Sequence, residues 1–239
     1  RQRQMCIRDS QYLATNLCKE ALVNTEAFNC SVVFANANTG EVLISAEERG
    51  DKESINIDLI STRAQYEPGS SLKIFSIGLA LEQGLLDEKT EYYVEDTIEL
   101  IENSCQKDFK GYKGCYKDFL KHEPYNLSVK EIIERSSNVG TIIATKDLKI
   151  NDLEEFLSKF GFSKRTGIEL SGESKGSFDP NKTCTTCLSS LSIGYSINVT
   201  QMQMVKAYSI IANGGKNVDL TLIKSPYSNY SPNQVIDSN

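Results

Sequence analysis

Leu13, Leu17, Ala21 and Leu22 recur at helical spacing between residues 11 and 24, which predicts an amphipathic helix there. Two apolar runs follow, Ser31-Val32-Val33-Phe34-Ala35 and Glu41-Val42-Leu43-Ile44-Ser45, joined by the turn Asn36-Ala37-Asn38-Thr39-Gly40. Both runs are continuous rather than alternating, so the strands they predict belong to a sheet covered on both faces. Residues 47–59 are polar and charged and read as a surface loop. Residues 72–81 are apolar nearly all round, which predicts a helix buried on most sides, and Gly84 marks its stop. Residues 87–124 carry many Lys, Asp, Tyr and Gly and no sustained period, so loops, short strands and insertions are expected.

The second half is better punctuated. Ser128-Val129-Lys130-Glu131 is a capping box opening a helix to about Arg135. The polar trio Ser136-Ser137-Asn138 separates it from a second helical pattern over residues 139–148. Asn151 reads as the cap of a helix over residues 152–160, which Gly161 ends, and residues 166–176 as a polar turn region. Thr200-Gln201-Met202-Gln203 is a second capping box, ahead of a helix that carries Met204, Val205, Tyr208 and Ile211 and stops at Asn213-Gly214-Gly215. Core packing accounts for its methionines. Residues 217–239 read as a strand and loop, and no repeat or low-complexity tract is present.

Chemistry concentrates at Glu67-Pro68-Gly69-Ser70-Ser71-Leu72-Lys73. A Pro-Gly turn delivers a serine and a lysine onto the first turn of the apolar helix, and positions i and i+3 share a face. Lys73 is the only charge among residues 72–81, and burial lowers a lysine pKa, so it can act as a base toward the Ser70 hydroxyl. The plainer alternative is a serine helix cap beside a lysine reaching for the surface. Ser104-Cys105-Gln106-Lys107 has the same spacing but sits in a polar stretch. Ser136 and Asn138 are placed to present side chains into a cleft, with a helix cap or Asx turn as the alternative. Ser-x-Asn also occurs at residues 54–56, 196–198 and 231–233. His122, the sole histidine, lies in a setting that reads as a solvated loop rather than a catalytic one.

Composition narrows the classes. A formal charge of −6, from 26 basic and 32 acidic side chains, offers no footprint for nucleic acid, and 39% hydrophobic residues suffice for a globular core. No apolar run approaches the ~18 residues of a membrane span. Residues 1–10 (RQRQMCIRDS) lack an apolar segment and read as a non-native leader, leaving 11–239 as the domain. Beyond Cys6 there are six cysteines, of which Cys105 with Cys115 and Cys184 with Cys187 form local pairs. Disulfides in one or both, a four-cysteine zinc site, or free thiols all fit that spacing.

Taken in order, several stretches resemble the transpeptidase domain of class B penicillin-binding proteins. They are Thr39-Gly40-Glu41-Val42-Leu43, Arg63-Ala64 before Tyr66-Glu67-Pro68-Gly69-Ser70, Ser136-Ser137-Asn138-Val139-Gly140, and Phe160-Gly161-Phe162 with Thr166-Gly167-Ile168. Glu173-Ser174-Lys175-Gly176, Gly194-Tyr195-Ser196 and the helix of residues 200–215 complete the series, which covers residues 11–215. The resemblance implies the α/β (α+β) fold shared with serine β-lactamases: a central antiparallel sheet with helices on both faces, plus an all-helical subdomain falling mainly in residues 84–190. It implies a peptidoglycan D,D-transpeptidase acting through a serine acyl-enzyme on stem peptides ending in D-Ala-D-Ala and blocked by β-lactams, with no cofactor and no metal. Ser70 is then the nucleophile and, through its N–H, half of an oxyanion hole. Lys73 is the acylation base, Ser136 a proton relay, and Asn138 the residue that holds substrate and lysine in register. A periplasmic setting at the inner membrane, an anchor upstream, and a glycosyltransferase and division or elongation proteins as partners follow from the same resemblance. The family's Lys-Thr-Gly motif is absent, so the chain is expected to stop before the last strands and to be largely inactive alone. A serine β-lactamase, a penicillin-binding sensor and a non-catalytic division scaffold are the alternatives.

Overall fold

The computed structural model describes residues 2–50, 59–107, 114–179, 184–224 and 233–236. In chain order its elements are α1 (Gln2–Thr25), β1 (Asn29–Ala35), β2 (Val42–Arg49), α2 (Ile60–Arg63), a 3-10 turn (Gly69–Leu72), α3 (Lys73–Glu82), β3 (Glu91–Val94), β4 (Thr97–Glu99), β5 (Cys115–Lys117) and β6 (Tyr125–Ser128). There follow α4 (Val129–Glu134), α5 (Asn138–Ala144), α6 (Ile150–Lys159), β7 (Ser177–Phe178), α7 (Cys187–Ser192), β8 (Ile197–Asn198) and α8 (Gln201–Ala212). These divide into two compact units, the first of residues 1–66, 158–177 and 199–239, the second of residues 67–157 and 178–198.

In the first unit β1 and β2 form the expected antiparallel hairpin, with Val32 opposite Ala46 and Phe34 opposite Ile44. Most positions of both strands are half-buried without alternation, as their continuous apolar runs require. Helix α1 lies against both strands, and the Gln11 amide both accepts from and donates to the Ser45 backbone, at 3.0 and 2.9 Å. This helix begins at Gln2 rather than residue 11, because residues 2–10 hold no glycine or proline and several good helix formers. A disulfide ties it to β1 through Cys18 and Cys30, Cα atoms 5.4 Å apart. Spacing singled out neither cysteine, since the link joins a helix to a strand that only tertiary packing brings together. Ile168, Met202, Val218 and Leu220 form a buried cluster, with Val33 and Val42 packed against it.

The stretch expected as a surface loop over residues 47–59 is only partly one. Strand β2 continues through it to Arg49, and the Glu47 carboxylate accepts the N–H groups of Ile60 and Ser61, each at 2.8 Å. That carboxylate satisfies orphan donors at the start of α2. Residues 51–58 lie outside the described residues, as do the Ser-x-Asn match at residues 54–56 and most of the one at residues 231–233.

The second unit buries Leu72, Phe75, Ile77, Leu127, Ile132, Leu153, Leu157 and Leu191 nearly completely. Helix α3 buries Phe75, Ile77, Leu79 and Ala80, and its neighbours include α4, α5 and α7. Pairs β3–β6 and β4–β5 are short antiparallel ribbons; β3, β4 and β5 are the short strands expected in residues 87–124, and β6 follows directly after that region. Helix α5 ends at Ala144, short of residue 148, and Asn151 lies inside α6 instead of capping it. Both local cysteine pairs are disulfides, Cys105–Cys115 and Cys184–Cys187, so those thiols are committed to each other and not to zinc. Tyr116 joins β5 to α7 through Ser190 Oγ, at 2.7 Å.

Candidate active site

Ser70 and Lys73 lie at the two ends of one tight turn. The chain enters through Gly69, in the left-handed region at φ 55°, and the Lys73 N–H closes on the Ser70 carbonyl in 3-10 geometry. With three residues per turn, i and i+3 eclipse, so the serine and lysine side chains leave the same side of the backbone. Ser70 is exposed, whereas Lys73 is 2% exposed at the head of α3.

The turn is pinned from behind. Gly69 N–H donates to the Gly194 carbonyl at 3.0 Å, and a Cβ on Gly194 would stand 1.9 Å from the Gly69 oxygen. Gly194 also has φ 87°, so both space and backbone conformation demand glycine. Ser196 N–H donates to Glu67 Oε1 at 3.1 Å, a second tie between these two segments.

Each residue of the trio Ser136-Ser137-Asn138 has its own backbone task. Ser136 N–H bonds the Ile133 carbonyl and Ser137 N–H the Ile132 carbonyl, both at 3.0 Å, which is the Schellman closure of α4. That closure needs a left-handed residue, and Ser136 takes it at φ 54°. Ser137 is the N-cap of α5, its hydroxyl accepting from Gly140 N–H at 2.8 Å. Asn138 opens α5, and its side-chain amide donates to the Lys117 carbonyl at 2.7 Å. That bond fixes the amide orientation and leaves Oδ1 without a hydrogen-bond donor among the described residues. The cap alternative therefore holds for Ser137, while Ser136 and Asn138 keep side-chain atoms available.

Lys73 Nζ donates to the Ser136 carbonyl at 2.6 Å and to Ser136 Oγ at 3.3 Å. The structure thus brings Lys73 and Ser136 into contact, whereas Ser70 Oγ makes no side-chain hydrogen bond among the described residues. Asn138 meets Lys117 and not the lysine. Burial pushes the Lys73 ammonium down to about 8, and the nearby Asp118 carboxylate opposes that only in part. The rival Ser-x-x-Lys match differs: Ser104 is buried in a turn and Lys107 is exposed.

Sequence reasoning missed Asp118. Its Oδ1 accepts the N–H groups of Asn138 and Val139, at 2.6 and 3.0 Å, and Oδ2 accepts Ser137 Oγ–H at 2.7 Å. No spacing signal marks an aspartate 18 residues ahead of Ser136 in an irregular stretch. His122 lies in a loop, as expected, but its ring is only partly exposed. Its side chain is 15% exposed, Nε2 lies 3.1 Å from Asp118 Oδ2, and the ring stacks on Tyr125 at 4.3 Å.

Residues 30–238 match the family model described as the penicillin binding protein transpeptidase domain. The chain belongs to this family. Penicillin-binding protein PbpB of Mycolicibacterium smegmatis is 29% identical over 91% of the chain and 33% of its own length. Peptidoglycan D,D-transpeptidase FtsI of Escherichia coli K12 is 27% identical over 85% of the chain and 34% of its own length. The chain thus spans about a third of the length of these curated relatives. Among solved structures, penicillin-binding protein 3 of Mycobacterium tuberculosis in complex with ampicillin superposes with a TM-score of 0.78 at 26% identity, over 96% of this chain and 52% of that one. The α/β transpeptidase fold expected from the resemblance is therefore the fold of this chain. No helix among the described residues is long and apolar enough to cross a membrane.

Proposed function

We propose that the protein carrying this chain is a peptidoglycan D,D-transpeptidase. The observation that carries the reading is the buried Lys73, held on Ser136 and one helical turn from the exposed Ser70. Lys73 in its neutral form takes the proton from Ser70 Oγ as Oγ bonds the penultimate D-Ala carbonyl of a stem peptide. A pKa of about 8 leaves roughly a tenth of the amine neutral at pH 7. The proton passes by way of Ser136 Oγ to the departing nitrogen, the C–N bond breaks, and terminal D-Ala leaves. An amine from a neighbouring strand then attacks the ester, the bond between the carbonyl carbon and Ser70 Oγ breaks, and the amine's proton returns to Oγ to regenerate the serine. The Ser70 N–H stabilises the oxyanion and Asn138 Oδ1 accepts from the substrate amide. β-Lactams acylate the same serine. Such an enzyme works at the periplasmic face of the inner membrane beside a glycosyltransferase and division or elongation proteins.

A fluorescent penicillin tests the site on the full-length protein. It should label the wild type and not Ser70→Ala, at a rate that rises with pH through about 8 as Lys73 loses its proton. A label retained in Ser70→Ala, or a rate indifferent to pH across that range, would overturn the assignment.

A further inference from the structure

Asp118 is saturated. Its two carboxylate oxygens accept four hydrogen bonds: from Asn138 N–H, Val139 N–H, Ser137 Oγ–H and His122 Nε2–H. A carboxylate has about four lone-pair positions, so none is spare. The other ring nitrogen of His122 faces the Glu123 carbonyl at 2.9 Å, and a carbonyl only accepts. Both ring nitrogens therefore point at acceptors, an arrangement that only the doubly protonated imidazolium satisfies.

We propose that Asp118 and His122 are a positioning pair: an imidazolium–carboxylate contact holds the Ser136–Asn138 turn so that Ser136 receives the Lys73 ammonium. The proposal rests on the transpeptidase reading for its effect on rate, and on geometry alone for the pair itself. Neither residue touches the reacting atoms. Asp118 grips the backbone of Asn138 and Val139 and the hydroxyl of the Ser137 cap, while the neighbouring Lys117 carbonyl takes the Asn138 side chain. One short segment thus fixes the start of α5. The groups facing His122 are Asp118, the charge of Asp96, the Glu123 carbonyl and the Tyr125 ring, over which Arg135 lies at 4.9 Å. Among the described residues, Lys73 and His122 both interact with the Asp118 charge. Burial lowers the His122 pKa, but the Glu123 and Asp118 hydrogen bonds and the two aspartate charges outweigh it and leave the pKa raised. As pH climbs through that raised value the imidazolium is lost and the grip on Asp118 weakens.

The test compares penicillin acylation rates of the full-length wild type, His122→Phe and Asp118→Asn across a pH series. His122→Phe, which keeps the stacking on Tyr125, should react about tenfold more slowly where the wild-type ring is charged, and the gap should close at higher pH. Asp118→Asn should be slow throughout. Equal rates at low pH, or a gap that pH does not change, would overturn the pair. A second readout needs no activity: the His122 ring signals in NMR, identified by their loss in His122→Phe. The ring and the Asn138 and Val139 amides should titrate with one midpoint, above the usual value of about 6.5. Separate midpoints would overturn the pair even if acylation is normal. A wild type that takes no label while ring and amides titrate together would sink the transpeptidase reading and leave the pair standing.

Discussion

Ser136 occupies the left-handed position that closes α4, where glycine fits without steric cost, and it does so while presenting both its carbonyl and its hydroxyl to Lys73. Holding a non-glycine residue there costs about 1–2 kcal/mol. In the proposed mechanism the hydroxyl's place on the proton path offsets that cost. Ser136→Gly should therefore leave the fold as stable or more stable, by up to ~1 kcal/mol, while slowing acylation. Denaturant midpoints set beside labelling rates check it, and a variant that loses stability or labels normally would contradict the account. Ser70, Lys73, Ser136 and Asn138 could all be picked from the sequence because each sits at a marked place, a Pro-Gly turn or a junction between capped helices. Asp118 could not. Its role comes from hydrogen bonds across 20 residues of irregular chain, and no period or motif encodes such a contact.

At the scale of elements, the two capping boxes, at Ser128 with Glu131 and at Thr200 with Gln203, form as their sequences require. Local signals of this kind are legible because donor and acceptor lie three residues apart. The turn at Ser70 is different. Its direction depends on Gly194, more than a hundred residues away, whose missing side chain lets the two backbones touch. Gly194→Ala should abolish acylation and cost several kcal/mol, since a Cβ would press into backbone that cannot yield. Gly167→Ala is the matched control: φ is 82° there too, but nothing lies within 4 Å of the added Cβ. It should cost only the backbone strain, about 1–2 kcal/mol, with labelling retained. Thermal melts and labelling of both variants separate steric contact from conformational strain, and equal losses in the two would contradict the pinned turn.

For the molecule as a whole, the ordered series of short motifs carried more than any one of them. Ser-x-x-Lys occurs twice and Ser-x-Asn four times, so only their sequence with the intervening turns distinguished one family. The match of residues 30–238 to the transpeptidase model bears that reading out. Long-range links were less legible: Cys18–Cys30 joins a helix to a strand, and the division into two units interleaves three stretches of chain with two. All four candidate residues fall in one unit, residues 67–157 with 178–198. Ser70 is the acylated nucleophile of the transpeptidase reading, and its adduct with a β-lactam should persist. Peptide mass mapping of the full-length protein after benzylpenicillin treatment should find one penicilloyl adduct, on the peptide containing Ser70. An adduct elsewhere, no adduct, or rapid release of hydrolysed penicillin would contradict that reading.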